Sequence, residues 1–380
     1  MLTYLLVVPV FLIMVTILVA AHEYGHYLFA RMNGMEVEEF SIGFGKKLFV
    51  WMRKHDTEFT IRALPLGGFV RMKGMVPQED GSETEVENGF YSKSPLRRLS
   101  VLFAGPLFSV LSGLIVLTAY FMIVGLGVPS KAAITGDMKP DSAAYKAGMK
   151  PDDLVISVDG IPVKRWFDVV KYVRDDKSGK PVKFVYMRGK QQLTAMVTPV
   201  VSKTPDPVVD ENMDDTGKTA IQAKIGVYPH VDMVTPTFGQ AVAKATSAPI
   251  IMVTGLLDTV VHPKTFSQNM GGPLSIVAVT YDAVKDGALQ VIFTSALLSI
   301  SLGVLNLLPF PPMDGGQIVI AFAEMLRRGK RLSMEIQNAV NTLGLALVSI
   351  LIIAVLWVDV KRWMFPDSPP PAPNIQSKHK

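Results

Sequence analysis

The 380-residue chain contains no cysteine, which excludes disulfides and thiolate metal ligands at the outset. That absence names no compartment, because a chain without thiols tolerates either redox environment. Charge is sparse too: 19% of residues are Asp, Glu, Lys or Arg, and the formal net charge is only +5. No long Lys/Arg cluster interleaved with aromatics is present, which sets nucleic acid aside as a partner. The N-terminus lacks the basic segment of a secretory signal peptide, and its apolar run is too long for one. What remains is apolar. With 49% hydrophobic residues in long uncharged runs, the composition is that of a multispanning membrane protein with a modest soluble part.

The first such run, Leu2 to Ala21, carries no charge and ends in Ala21-His22-Glu23-Tyr24-Gly25-His26. On a helix, His22 and His26 share one face, so both imidazoles reach one metal ion while Glu23 stands beside it as a proton acceptor. Ionisable groups at the edge of a membrane helix mark a functional site by default, since nothing bland compensates them there. A catalytic zinc ion takes three protein ligands and leaves a position open. The third ligand expected here is Asp314, in Asn306-Leu307-Leu308-Pro309-Phe310-Pro311-Pro312-Met313-Asp314-Gly315-Gly316. There the prolines break a helix, and the glycines are expected to let the backbone turn. Asn306 is a candidate oxyanion donor or, equally, an interhelical hydrogen-bonding group.

The expected fold is a polytopic α-helical membrane protein of about four spans, with a re-entrant β-hairpin element and an inserted α+β PDZ-like domain. Residues 1–32 form the first span, and 33–75 a membrane-associated β element around the polar turn at Arg53 to Asp56. An open sheet edge cannot face lipid, so this element must be covered or dip into a wet cavity. Its Gly67, Gly68 and Phe69 are candidates for holding an unwound substrate as an added strand. Residues 76–98 read as a solvated cytoplasmic linker, 99–128 as the second span, and 129–201 as the PDZ-like domain. A linker is expected over 202–235. An interfacial helix and loop follow over 236–286, because Lys244, Pro249 and Asp258 interrupt the apolar run. Residues 287–316 form the third span, 317–341 a cytoplasmic loop, 342–362 the fourth span and 363–380 a disordered tail.

Topology brings the two motifs together. The segment from Arg31 to Arg98 holds eleven Lys/Arg, and the loop with Arg327, Arg328, Lys330 and Arg331 is basic. Both are therefore expected in the cytoplasm. With four spans, His22 and Asp314 then reach similar depth near that side, with the PDZ-like domain and both termini outside.

Taken together, the His22 to His26 motif, Gly43-Phe44-Gly45, Pro65 to Phe69, Gly105-Pro106, the insert and Asn306 to Gly316 resemble the site-2 protease family of intramembrane zinc metalloproteases, of the bacterial regulator of sigma-E protease type. The resemblance implies a zinc-dependent endopeptidase of the bacterial inner membrane. Its substrates would be single-span membrane proteins, such as anti-sigma factors trimmed by an upstream site-1-type protease, or remnant signal peptides. Two departures stand out. Ser109 occupies the place where the family usually carries asparagine, and there is room for one PDZ-like domain where well-known members have two. A transporter is a rival reading, but it predicts repeated halves, and none is present. A catalytically inactive tether acting through the insert is another, against which the intact Glu23 argues.

Overall fold

The computed structural model describes residues 2–76, 82–176, 178–202, 206–211, 213, 215–261 and 271–364. Two compact units result: a helical unit that runs to Tyr120 and resumes at Phe238, and an inserted unit, Phe121–Thr237.

The helical unit opens with α1, Leu2–Met32, where the sequence placed it; Pro9 is accommodated within it. Gly34, with φ +69°, turns the chain into β1, Val37–Lys54, and β2, Thr57–Met72. These two long strands fold back on themselves. Phe40 is paired with Val70 on one side and with Phe59 on the other, so the first half of β1 has neighbours along both edges. Glu39 is buried in this layer at 1% exposure, which an isolated carboxylate would not tolerate. Arg62 Nη2 at 2.8 Å, Arg71 Nη2 at 2.5 Å and the Thr60 hydroxyl at 2.7 Å compensate it. The bend of the hairpin climbs α1, with the Thr16 hydroxyl donating to the Pro65 carbonyl and Gly68 lying on Val19.

The range 76–98, expected to be a solvated linker, contains a short helical turn, Ser82–Thr84, in which Glu83 is buried against Arg331. A carboxylate is buried here because a guanidinium from a distant loop meets it.

Next comes α2, Pro95–Val124. The insert contributes β3 (Leu126–Pro129), β4 (Thr135–Met138), α3 (Ala143–Lys146), β5 (Leu154–Val158), β6 (Ile161–Pro162), α4 (Trp166–Asp175), β7 (Val182–Arg188) and β8 (Gln191–Val197). A four-stranded sheet in the order β6-β5-β7-β8 encloses a core of Phe184, Val158, Val197, Val155 and Val169. Ser142 caps α3 by accepting from the Tyr145 amide.

The range 202–235 is not a linker. The insert continues through β9 (Val200–Val201), β10 (Asp206–Val209), β11 (Asp215–Ala220), β12 (Ala223–Lys224), β13 (Val227–Pro229) and β14 (Val231–Val234). Of these, β12 pairs with β9, β13 with β4 and β14 with β3. Polar composition concealed strands, one of which, β14, has its partner more than a hundred residues earlier.

The helical unit resumes with α5 (Phe238–Val261), α6 (Pro273–Asp286), α7 (Ala288–Asn306), α8 (Asp314–Leu326) and α9 (Met334–Met364). Five helices among the described residues are long and apolar enough to cross a membrane, against the four expected. The additional one lies in α5, which runs unbroken through Pro249. The supposed loop 317–341 begins as helix, because α8 carries on to Leu326.

Close approach fixes how these helices pack. A Cβ on Gly25 would come within 2.3 Å of the Ala104 carbonyl oxygen, one on Gly113 within 2.7 Å of that of Ala296, and one on Gly303 within 2.6 Å of that of Pro106. Backbones meet this closely only where a side chain is missing. The contacts also give direction. Later positions of α1 meet earlier positions of α2, and later positions of α2 meet earlier positions of α7. Helix α2 is thus antiparallel to both, and α1 and α7 are parallel.

Candidate metal centre

His22 and His26 stand one turn apart on α1, 6% and 7% exposed, with ring centroids 4.9 Å apart and planes at 79°. Each ring is held by its Nδ1. His26 Nδ1 lies 2.8 Å from the Val101 carbonyl oxygen, which can only accept, so this nitrogen carries the proton. His22 Nδ1 lies 2.9 Å from Ser109 Oγ. With each Nδ1 engaged, Nε2 is the nitrogen each ring leaves for an ion, and the two Nε2 atoms stand 3.3 Å apart over Gly105 of α2.

Asp314 closes the group from the other end of the chain. It is the first residue of α8, and α7 ends at Asn306, so Leu307 to Met313 form the break that the prolines required. The glycines work differently from expectation. Gly315 and Gly316 are helical, and a Cβ on either would collide with the Leu307 and Leu308 carbonyls or with Pro311. They let α8 start directly beneath the loop. Asp314 Oδ2 thereby reaches 3.0 Å from His22 Nε2, and Oδ1 reaches 3.4 Å from His26 Nε2.

Among the described residues, His22, His26 and Asp314 form the one group of three such side chains able to hold a metal ion. Tetrahedral zinc with bonds of about 2.0–2.1 Å separates its ligand atoms by about 3.3 Å. The two Nε2 atoms stand at that distance, 3.3 Å, and the carboxylate approaches one with Oδ2 at 3.0 Å and the other with Oδ1 at 3.4 Å. Two imidazole lone pairs and a carboxylate converging on one point also call for a cation between them. The donor set fits zinc on both counts.

Glu23 is half-buried beside this group, its charge interacting with His26, His22 and Asp314, and it accepts a hydrogen bond from the Val70 backbone amide. That amide belongs to β2, whose Gly68 lies against Glu23 Cγ. Gly67 adopts φ +97° under the Phe44 ring, and Phe69 stacks on Phe44 at 6.1 Å. The hairpin segment singled out from sequence is thus brought to the glutamate. Asn306 is half-buried at the end of α7, and no hydrogen bond ties it to the metal group among the described residues. His55 is exposed at its turn.

Ser109 and the Val101 carbonyl orient the two imidazoles, and Gly105 makes room for them: its Cβ would lie 2.2 Å from His26 Nε2 and 2.8 Å from His22 Nε2. The sequence reading singles out Ser109 and Gly105 without these roles, and it does not single out Val101. Gly105 and Ser109 are four apart on α2 and so share a face, a spacing that was available. A backbone carbonyl leaves no such signal.

Comparison with known proteins gives the same picture. The profile of peptidase family M50 matches residues 10–351. A protein of Rhizobium meliloti (strain 1021) named as a zinc metalloprotease is 31% identical over 378 residues, covering 94% of this chain and 97% of its own. The zinc metalloprotease RasP of Bacillus licheniformis is 27% identical over 434 residues, covering 93% of this chain and 98% of its own. An Enterococcus faecalis protein named as the protease eep is 28% identical, covering 93% and 99%.

Proposed function

The chain belongs to peptidase family M50, and from that membership we propose that it is a zinc-dependent intramembrane endopeptidase, cleaving single-span membrane proteins within the bilayer. The observation that carries this reading is the convergence of His22 Nε2, His26 Nε2 and the Asp314 carboxylate at zinc-like spacing on a helix apolar enough to span. Zinc bound there supplies Lewis acidity, polarising a scissile carbonyl and acidifying water.

The chain's own residues do the rest. Ser109 and the Val101 carbonyl keep the Nε2 lone pairs free for the ion. The Glu23 carboxylate accepts the proton of the attacking water and delivers it to the leaving amine nitrogen. The Val70 amide holds Glu23 for both transfers. A helical substrate hides its peptide bonds in its own hydrogen bonds, so it must be unwound before attack. The strand through Gly67, Gly68 and Phe69, which runs beside Glu23, is suited to take that segment as an added strand.

The hairpin's path along α1 as far as Thr16 supports a re-entrant element. Helix register supports a topology with the centre near the cytoplasmic side, since α1 and α7 are parallel and both bring their C-terminal ends to it. If α5 crosses the bilayer, the chain must return before Ala288, so the net parity of four crossings is kept. The basic turn at Arg327 to Arg331 then lies in the cytoplasm, and the insert and both termini lie outside. In the insert, a cleft of about 250 Å³ between α4 and residues 222–228 is lined by Val169, Val173 and Ile225, and it offers room for the apolar side chain of a trimmed substrate end.

The test is Glu23→Gln. This variant should retain zinc and lose cleavage of a trimmed single-span protein in detergent. Cleavage at the wild-type rate would remove Glu23 from the mechanism.

A further inference from the structure

The helical unit holds a second concentration of buried charge that the proposed chemistry does not use. Arg98, in the first turn of α2, is 3% exposed, and Glu324, near the end of α8, is fully buried. Arg98 Nη1 lies 2.7 Å from Glu324 Oε2. The other carboxylate oxygen of Glu324 accepts from the Leu332 amide at 3.3 Å. The Tyr91 ring stacks against the Arg98 guanidinium at 5.1 Å, excluding water from the pair. A pair this deep is an expensive way to join two helices, and a hydrophobic contact of the same volume would serve stability as well or better. Unlike an apolar contact, the ion pair is kept only where the two charged groups are brought together.

Location supplies the use. Arg98 precedes Val101, whose carbonyl holds His26, by one turn, and it precedes Gly105 by two. Glu324 lies ten residues beyond Asp314 on the same helix, about 15 Å along its axis. Helix α8 therefore carries the third metal ligand, which meets α1, at one end and the buried carboxylate, which meets α2, at the other. Among the described residues, the hydrogen bonds and ion pairs of the Asp314 carboxylate go to the two imidazoles, so its aim depends on how α8 is held. We propose that Arg98 and Glu324 are positioning residues for the metal centre: their ion pair fixes the angle of α8 against α2 and so delivers the Asp314 carboxylate to His22 and His26. The proposal rests on the zinc reading above.

The experiment uses the full-length protein in detergent and has two readouts besides activity: zinc affinity by chelator competition, and the visible spectrum of the cobalt-substituted protein. Glu324→Gln should weaken zinc about tenfold or more, on the scale seen when support of a metal ligand is lost. Its cobalt spectrum should move toward that of Asp314→Ala. Arg98→Lys, which keeps the charge, should recover much of the affinity. A purely structural role would lower thermal stability and leave the cobalt spectrum of the folded protein unchanged. Wild-type affinity and spectrum in Glu324→Gln would overturn the proposal. Should that variant not fold, the same result in the apolar replacement R98M/E324L would do so. Failure of the wild type itself to bind zinc or cobalt would overturn the zinc reading instead, which keeps the two failures distinguishable.

Discussion

Both units bury apolar clusters, but the helical unit also encloses many more polar and charged side chains. In the insert the core is an apolar cluster, with Phe184, Val158 and Val197 at 0% exposure, and the fully buried polar exceptions, Thr135 and Asp153, lie outside that cluster, Asp153 paired with Arg188 at 2.8 Å. In the helical unit the enclosed residues include His22, Ser109, Ser299, Thr280, Arg98 and Glu324, while Ile115, Ile123, Leu343 and Ile353 are outside. The difference follows from the surroundings. In water, removal of apolar surface drives folding. In lipid it gives helices no reason to prefer one another, so small residues and polar pairs must define the packing. The Ser112 and Ser299 hydroxyls meet at 3.0 Å between α2 and α7, and Ser299 also donates to the Ser109 carbonyl at 2.8 Å. Asp359 of α9 takes the Gly272, Leu274 and Ser275 amides at the start of α6. One unit is held by volume, the other by geometry.

The contrast is sharpest where each unit is struck at its own principle. Phe184→Ala should cost the insert roughly 3–5 kcal/mol, the usual loss for an aromatic removed from a packed core. Hydrogen exchange on the full chain would register it as lost protection across β5, β7 and β8, with zinc content unchanged. If zinc fell in step, the units would not be separable. Gly105→Ala adds a single methyl to the other unit, between α2 and the imidazoles. It should weaken zinc on the order of 10- to 100-fold, comparable to losing outer support of a ligand. Exchange within the insert should not respond. Wild-type zinc affinity in this variant would mean that the helices can part at little cost, against the geometric account.

The same contrast explains what the sequence revealed. Elements governed by local pattern were legible: α1 from its apolar run, the insert's helices and β7–β8 hairpin from alternation and Gly turns, and the His22/His26 pair from helical spacing. Asp314 was legible because chemistry demanded a third ligand and proline marked where a helix would break. What could not be read was defined by two distant surfaces meeting. Arg98 and Glu324, or Glu83 and Arg331, look like ordinary surface charges until the helices and loops that carry them are packed. Strands β12 to β14 have partners far away in sequence, and their polar neighbours read as linker. Gly315 and Gly316 were assigned to a turn because spacing shows a missing side chain without showing what fills its place.

The smallest expected effect concerns a solvent-screened charge pair at the edge of the insert, Asp206 with Lys224. Burial alone would raise the Asp206 carboxyl, but hydrogen bonds from Lys224 and Ser202 outweigh it and hold the group below its ordinary value. Lys224 Nζ lies 2.6 Å from Asp206 Oδ1 but is itself 54% exposed, so solvent screens the pair and limits it to about 1 kcal/mol or less. The sign follows from the lowered value. The contribution is complete above the unfolded carboxyl value of about 3.9, and it fades as pH falls through the lower value of the folded state. Acidification below about pH 4 should therefore loosen the contact of β10 with Gln222 and Lys224. The Ser202 amide, bonded to the Gln222 carbonyl at 2.9 Å, should then exchange faster after correction for intrinsic rate. Asp206→Asn should flatten that dependence. The β7 and β8 amides around Phe184, which lies in the apolar core away from Asp206, should stay protected throughout. Opening of the whole insert over the same pH range would show its stability to be electrostatic, and the distinction between a unit held by volume and one held by geometry would fail at its simplest point.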